Sequence, residues 1–183
     1  MTKKITITGI MLSLATVLSL IRVFDAPYGG SVTAGSMVPI LLLAFLYGTK
    51  WGIGSGILFG LISIFTNGLP APPVTNFLSY AAVIVLDYVL AFGVLGLAGV
   101  LQDKVFCGKM WAPAAATVVV IFLRFVCHFL SGILIWGIYA WDGVSVPLYS
   151  FLYNGSYMLF ELIISLFVIA VLSRMLHNKI LKK

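Results

Sequence analysis

The sequence predicts an all-α integral membrane protein of six transmembrane helices, both termini cytoplasmic, forming a single domain over residues 1–183. Three observations carry this. First, 62% of the residues are hydrophobic and 9% charged, against about 45–50% and about 25% in soluble domains. A water-soluble fold of this length cannot hide so much apolar surface. Second, a spanning helix needs about 20 mostly apolar residues, and such stretches follow one another from Ile5 to the neighbourhood of Arg174. Third, alternate loops differ in charge. Lys3, Lys4, Lys50, Lys104, Lys109, Arg174, Lys179, Lys182 and Lys183 fall on one side and Arg22 on the other, with Arg124 inside a helix. That bias orients the chain positive-inside and demands an even number of spans. It also accounts for the net charge of +6 without a nucleic-acid partner.

Apolar length, Pro/Gly/Asn breaks and flanking charges place the helices at 5–24, 34–48, 51–66, 77–101, 112–140 and 150–176. The first follows Met-Thr-Lys-Lys, as a signal peptide's apolar core would, but no clean small-x-small cleavage signal comes after it, and it reads as a retained helix. The second and third are short, Gly-rich and joined by Tyr47-Gly48-Thr49-Lys50. One of them is expected to be tilted, broken or shorter than the bilayer. Gly52, Gly56 and Gly60 share a face of the third helix where another backbone can approach closely, and packing inside the bundle is favoured over a subunit interface. Gly9 and Ser13 form a weaker face of this kind on the first helix. The outer loops 24–33, 67–76 and 141–148 hold Pro27, Pro70, Pro72, Pro73 and Pro147, which favours compact caps able to close over a site that opens outward. Cys107 and Cys127 lack the spacing of a metal or redox pair and read as ordinary thiols.

An ionisable side chain at bilayer depth is costly and needs a partner or a cavity. Arg124 and His128 stand one turn apart on one face of the fifth helix, with Trp136 close to the same face and nearer the outside. Asp87 and Tyr88 lie midway along the fourth helix, with Tyr80 seven residues earlier on the aspartate's face. Asp87 either forms a salt bridge with Arg124 or faces a ligand that carries positive charge or amine donors. Tyr149, Tyr153, Asn154 and Tyr157 cluster at the outer end of the sixth helix. Tyr153 and Tyr157, taken singly, read as interfacial anchors, whereas the Asn154 amide, without an evident structural duty, can read the donor and acceptor pattern of a heterocycle. Asn154-Gly-Ser also matches a glycosylation sequon, but a helix start is a poor acceptor. Glu161, deeper on the Asn154 face, reads as a structural partner of Arg124 or His128. Together these groups describe a pocket for a small, flat, polar and cationic molecule.

Several chemistries have no motif here. The chain contains no P-loop, no His-Glu-x-x-His, no nucleophile elbow and no cysteine cluster for a metal. Its halves show no evident internal repeat of the secondary-transporter kind. A chain this small is expected to need partner subunits to move a cargo.

Four segments in order carry a family resemblance: Gly29-Gly-Ser-Val through Met37-Val-Pro-Ile to Tyr47-Gly-Thr-Lys-Trp-Gly; Leu86-Asp-Tyr-Val-Leu-Ala-Phe; Leu123-Arg-Phe-Val-Cys-His-Phe-Leu-Ser-Gly; and Tyr149-Ser-Phe-Leu-Tyr-Asn-Gly-Ser-Tyr-Met. Over nearly its whole length the chain resembles the thiamine-specific S component, the substrate-binding subunit, of energy-coupling factor (ECF) transporters. The resemblance implies a six-helix protein of the bacterial cell membrane that captures thiamine from outside with high affinity. It implies transport only on docking with a transmembrane coupling protein and two ATPase subunits, no catalysis of its own, and no cofactor besides the carried thiamine. The substrate-binding positions carried over are Asp87, Tyr88, Arg124, His128, Trp136, Tyr149 and Asn154. The thiazolium would stack on Trp136 near the carboxylate, and the Asn154 amide and Tyr149 hydroxyl would read the aminopyrimidine.

The chain departs from the family in places. Some members have glutamate at Asp87 and lysine at Arg124; some have a tryptophan where Phe59 falls and another in the first outer loop, with no counterpart near Phe24 to Ser31. The family's small-residue docking face on the first helix is kept only as Gly9, Ser13 and then Val17. The competing reading is a self-sufficient, proton-coupled carrier of a cationic heterocycle or another vitamin, using Asp87, His128 or Glu161. A membrane enzyme using His128 and Glu161 lacks a recognisable constellation.

Overall fold

The computed structural model describes residues 1–26 and 30–180, with side chains through residue 174. Pro27 to Gly29, Lys182, Lys183 and the side chain of Lys179 lie outside the described residues. Six helical segments follow in chain order among those described: α1 (Thr2–Leu20), α2 (Val38–Tyr47), α3 (Thr49–Asn67), α4 (Phe77–Phe106), α5 (Trp111–Leu134) and α6 (Val146–Ile180). Two short strands, β1 (Arg22–Asp25) and β2 (Ser31–Thr33), pair antiparallel between α1 and α2. All the helices but α2 are long and apolar enough to cross a bilayer. Their outer surface is apolar, with Phe65 and Phe77 each 89% exposed. Water penalises such a surface and lipid tails do not.

α2 differs in length and in surroundings. Its 10 residues rise roughly 15 Å, half of a hydrocarbon core of roughly 30 Å. Pro39 sits in its first turn, where a missing N–H costs no hydrogen bond. The helix is buried nearly throughout because α1, α3 and α4 surround it, which is why it is apolar on every side. Gly48, at φ +85°, turns the chain straight from α2 into α3 through a left-handed conformation that suits glycine. The expected short segment is therefore the second.

The glycine face of α3 is used inside the bundle. A Cβ on Gly52 would lie 2.9 Å from Gly96 Cα, one on Gly60 would lie 2.7 Å from the Tyr88 carbonyl oxygen, and one on Gly56 would overlap the Phe92 carbonyl. On α4, a Cβ at Gly96 or Gly99 would overlap the α3 backbone at Ile53 or Thr49. Such close backbone packing is how helices associate where burial from water offers no drive. Gly9 meets nothing within 4 Å, and Ser13 beside it is exposed, leaving that face of α1 uncovered. The inner end of α1 is tied to α3 by Trp51 Nε1, which donates to Thr8 Oγ1 at 2.9 Å, and by Lys4 Nζ, 4.0 Å from the Trp51 ring centre. Cys107 and Cys127 are free thiols.

Several boundaries differ from those read off the sequence. α1 stops at Leu20 rather than 24, because Ile21 is extended and the next residues, β-compatible Val23 and Phe24 among them, pair with β2. α2 begins at Val38 rather than 34, after a turn through Gly35 (φ +86°) closed by the Val38 N–H on the Gly35 carbonyl at 3.0 Å. α5 ends at Leu134 rather than 140; the Trp136 N–H reaches back to the Ser131 carbonyl at 3.4 Å and Gly137–Tyr139 form a 3-10 turn. α6 starts at Val146, with Pro147 in its first turn, so Tyr149 is helical. α4 is irregular as well as longer: π-helical over Ile84–Leu90 and 3-10 over Val94–Leu101. Those segments displace side chains from the 3.6-residue pattern.

The α3–α4 contact predicts a pair of contrasting variants. Gly56→Val overpacks the interface, at a cost of about 1–3 kcal/mol, and lowers the thermal unfolding midpoint in detergent by several degrees. Gly54→Ala, where a Cβ meets nothing within 4 Å, leaves the midpoint unchanged.

Candidate functional site

α1 and α3 both run from the lysine-bearing end of the bundle toward Ser19 and Asn67, and these two residues line a cavity of about 330 Å³ at the opposite end. Asp87, Tyr88, Arg124, His128, Trp136, Tyr149 and Asn154 all line the same cavity. They come from α4, α5, the α5–α6 turn and α6, so the site exists only once the bundle has closed.

The polar centre is a chain across α4 and α5. Asp87 Oδ1 lies 2.9 Å from His128 Nδ1, and its Oδ2 accepts from Ser131 Oγ at 2.6 Å. Arg124 Nε donates to His128 Nε2 at 3.3 Å. Because Nε2 accepts, the ring proton sits on Nδ1 and is donated to Asp87. Arg124, His128 and Ser131 follow at helical spacing on α5, each about one turn from the next. The Arg124 guanidinium carbon lies 4.0 Å from the centre of the Phe92 ring, a cation–π contact. Of the two alternatives for Asp87, the salt bridge to Arg124 is absent among the described residues: His128 stands between the two side chains. The π-helical turn explains why spacing misled here, since seven residues no longer span two turns; Tyr80 accordingly does not line the cavity.

α6 contributes a stripe at four-residue spacing: Tyr149, Tyr153, Tyr157 and Glu161 all line the cavity. The rings continue as a ladder, Trp141 edge-on to Tyr149 at 5.3 Å, Tyr149 stacked on Tyr153 at 5.7 Å, Tyr153 edge-on to Tyr157 at 5.9 Å, and Tyr157 edge-on to His128 at 6.2 Å. Tyr157 is buried, so the interfacial-anchor reading of Tyr153 and Tyr157 is corrected: they are walls of the cavity. Asn154 is also more engaged than its sequence context suggests. Its Nδ2 donates to the Ser150 carbonyl and Oγ at 3.0 and 3.1 Å, and its Oδ1 accepts from the Tyr157 hydroxyl at 2.7 Å. Only acceptor capacity on Oδ1 remains, which suits a ligand's amino group.

Among the described residues Glu161 makes no direct hydrogen bond to Arg124 or His128; it and Arg124 act on each other only through their charges. Its Oε1 accepts from the Thr33 N–H at 2.6 Å and the Thr33 hydroxyl at 2.7 Å. This carboxylate therefore pins β2, in the α1–α2 connection, against α6. Gly30 in the same loop donates its N–H to the Tyr153 hydroxyl at 3.2 Å, and a Cβ there would lie 2.7 Å from the Tyr157 ring. The loop is a cap held by α6, and Gly30, Ser31, Thr33 and Ser36 line the cavity.

Trp136 lies beyond the end of α5 rather than along its wall, and stacks on Tyr139 at 6.3 Å. Phe59, where a family tryptophan falls, is fully buried and meets Phe92 edge-on at 4.9 Å. Sequence reading missed Thr33, Ser131 and Phe92. The Arg124, His128, Ser131 spacing could have revealed the serine; no local signal marks Thr33, whose partner is 128 residues away.

An apolar-surfaced helical bundle enclosing a cavity with a polar centre defines the class: a multi-pass helical membrane protein. The sequence model of the thiamine transporter protein family matches residues 5–181, and the chain belongs to that family. It is 31% identical over 174 residues to the thiamine transporter ThiT of Bacillus subtilis, covering 90% of this chain and 86% of that one. It is 28% identical over 144 residues to ThiT of Lacticaseibacillus paracasei, covering 74% and 70% respectively. The solved structure of ThiT from Listeria monocytogenes shares the fold, with a TM-score of 0.80 at 22% identity over 95% of this chain and 94% of that chain.

The Thr33–Glu161 contact generates a prediction. Removing the carboxylate in Glu161→Ala leaves the Thr33 amide unpaired, and a hydrogen bond to a charged group is worth about 1.5–3 kcal/mol. Amide hydrogen exchange at residues 31–33 is expected to accelerate by about tenfold or more, with the α3–α4 contact unaffected.

Proposed function

We propose that the cavity binds thiamine and that the chain is the substrate-binding subunit of an ECF-type importer, a single transmembrane domain without catalytic activity. The observation that carries this is the cavity's charge. Two carboxylates, Asp87 and Glu161, line its deep part together with one guanidinium, Arg124. A monocation such as a thiazolium restores balance where low dielectric makes imbalance costly. Membership in the thiamine transporter family supports the choice of cation.

In this reading the thiazolium lies between Asp87 and the ring of Trp136, held by Coulomb attraction and cation–π contact. The aminopyrimidine gives its amino group to Asn154 Oδ1, with Tyr149 and Tyr157 beside it. Arg124 and His128 hold Asp87 in orientation, and Tyr88 closes the outer side. The aspartate is shorter than the glutamate of some relatives, so the ligand sits nearer α4 or is bridged by water. The cavity lies at the end opposite Lys4 and Lys50, so the positive-inside rule supports an outward-facing site with cytoplasmic termini. Transport then needs a transmembrane coupling protein and two ATPase subunits, and the uncovered Gly9–Ser13 face is available for docking.

Titration of the detergent-purified chain with thiamine tests this, followed by tryptophan fluorescence. Saturable quenching at submicromolar thiamine is expected, lost in Trp136→Ala and shifted by about tenfold or more in Asp87→Asn. Absence of quenching and of competition up to millimolar thiamine would overturn the assignment. Thiamine uptake by liposomes holding this chain alone, driven by a pH gradient, would instead establish a self-sufficient carrier.

A further inference from the structure

At the cavity mouth Ser19, Arg22, Asn67 and Gly68 form a second polar group that the proposed thiamine contacts leave unused. Arg22 donates to Asp25 Oδ1 at 3.0 Å and to Asn67 Oδ1 at 3.2 Å, and Asn67 Nδ2 donates to Ser19 Oγ at 3.3 Å. The guanidinium is thereby fixed by groups from β1 and α3, with α1 behind them. This group is continuous with the deep site. The Tyr88 hydroxyl, on the residue next to Asp87, donates to the Gly68 carbonyl at 3.1 Å, one residue beyond Asn67. Tyr88 thus lines a path from the half-buried Asp87 carboxylate to the outer guanidinium.

The pair at the end of that path is open to exchange. The Asp25 side chain is 58% exposed and that of Arg22 37%, and exposed ion pairs of this kind contribute little. A phosphoryl group offers a guanidinium several strong acceptors and a higher charge than one carboxylate. Yet Asp25 both occupies Arg22 and repels an incoming anion.

We propose that Arg22 is a subsite for an anionic extension of the ligand, a phosphate monoester on the arm of the heterocyclic cation, and that Asp25 is a built-in competitor that sets the preference for unphosphorylated ligand. This rests on the thiamine reading above. With the thiazolium at Asp87, its hydroxyethyl arm runs along Tyr88, and a terminal phosphate reaches Arg22 by displacing the Asp25 carboxylate. The unphosphorylated alcohol needs neither group.

Thiamine and thiamine monophosphate are titrated separately into the purified wild type, Asp25→Asn and Arg22→Gln, and the ratio of the two dissociation constants is compared. In Asp25→Asn the monophosphate is expected to bind several-fold more tightly; in Arg22→Gln it is expected to bind about tenfold more weakly, the effect of losing a charge-assisted contact. Thiamine itself stays within about twofold in both, which also shows that the variants are folded. Intact thiamine binding with an unchanged ratio, or with no monophosphate binding in any variant, overturns the subsite alone. Failure of the wild type to bind thiamine overturns the thiamine reading and the subsite together.

Discussion

A carboxylate placed at membrane depth must be given donors, a cation or a proton, and Asp87 is given two donors from α5. His128 and Ser131 hold its two oxygens at 2.9 and 2.6 Å, and Arg124 holds the far side of the imidazole. Removal of any one of these groups leaves another polar group unsatisfied in a low-dielectric interior, where that is expensive. The packing of α4 against α5 and the placement of Arg124 over Phe92 both follow from this requirement. It also leaves Asp87 with acceptor capacity directed at the cavity, so the interaction that joins α4 to α5 also shapes the cavity's polar centre.

The remaining architecture brings other elements to that centre. Glycines on α3 and α4 allow the two backbones to touch, which positions the π-helical turn carrying Asp87 and Tyr88. The half-length α2 fills the space behind them. From the other side, α6 presents its Tyr149, Tyr153, Tyr157 and Glu161 stripe, and the same stripe holds the first outer loop through Thr33 and Gly30. Gly30 and Thr33 are therefore mechanically tied to the tyrosine wall of the cavity.

The fold was legible because the bilayer imposes a coarse and strict requirement: apolar length and the placement of lysines were enough to find the helices. What was not legible depended on local detail or on remote partners. The β1–β2 pair is too short and irregular to announce itself, and the π turn in α4 carries no composition signal. In the site, Arg124 and His128 were correctly placed on one face because α5 is regular between them. The partner of Asp87 was missed because α4 is not regular. Trp136 reaches the cavity from a turn rather than from a helix wall. Tyr153 and Tyr157, taken singly, were read as interfacial anchors because their spacing alone does not say whether lipid or cavity lies opposite. Glu161 shows the same limit, since its partner Thr33 lies in a loop distant in sequence.

If the Asp87 carboxylate, held by His128 and Ser131, recognises a ligand cation, the ligand's charge must govern affinity. Comparing thiamine with 3-deazathiamine, a neutral isostere of its thiazolium, in wild type and in Asp87→Asn tests it most directly, because shape is constant and only charge is varied on each partner. The account predicts that the wild type prefers thiamine by about tenfold or more and that the preference collapses in Asp87→Asn. Equal affinity for the two ligands in the wild type, or a preference that survives in Asp87→Asn, would contradict it.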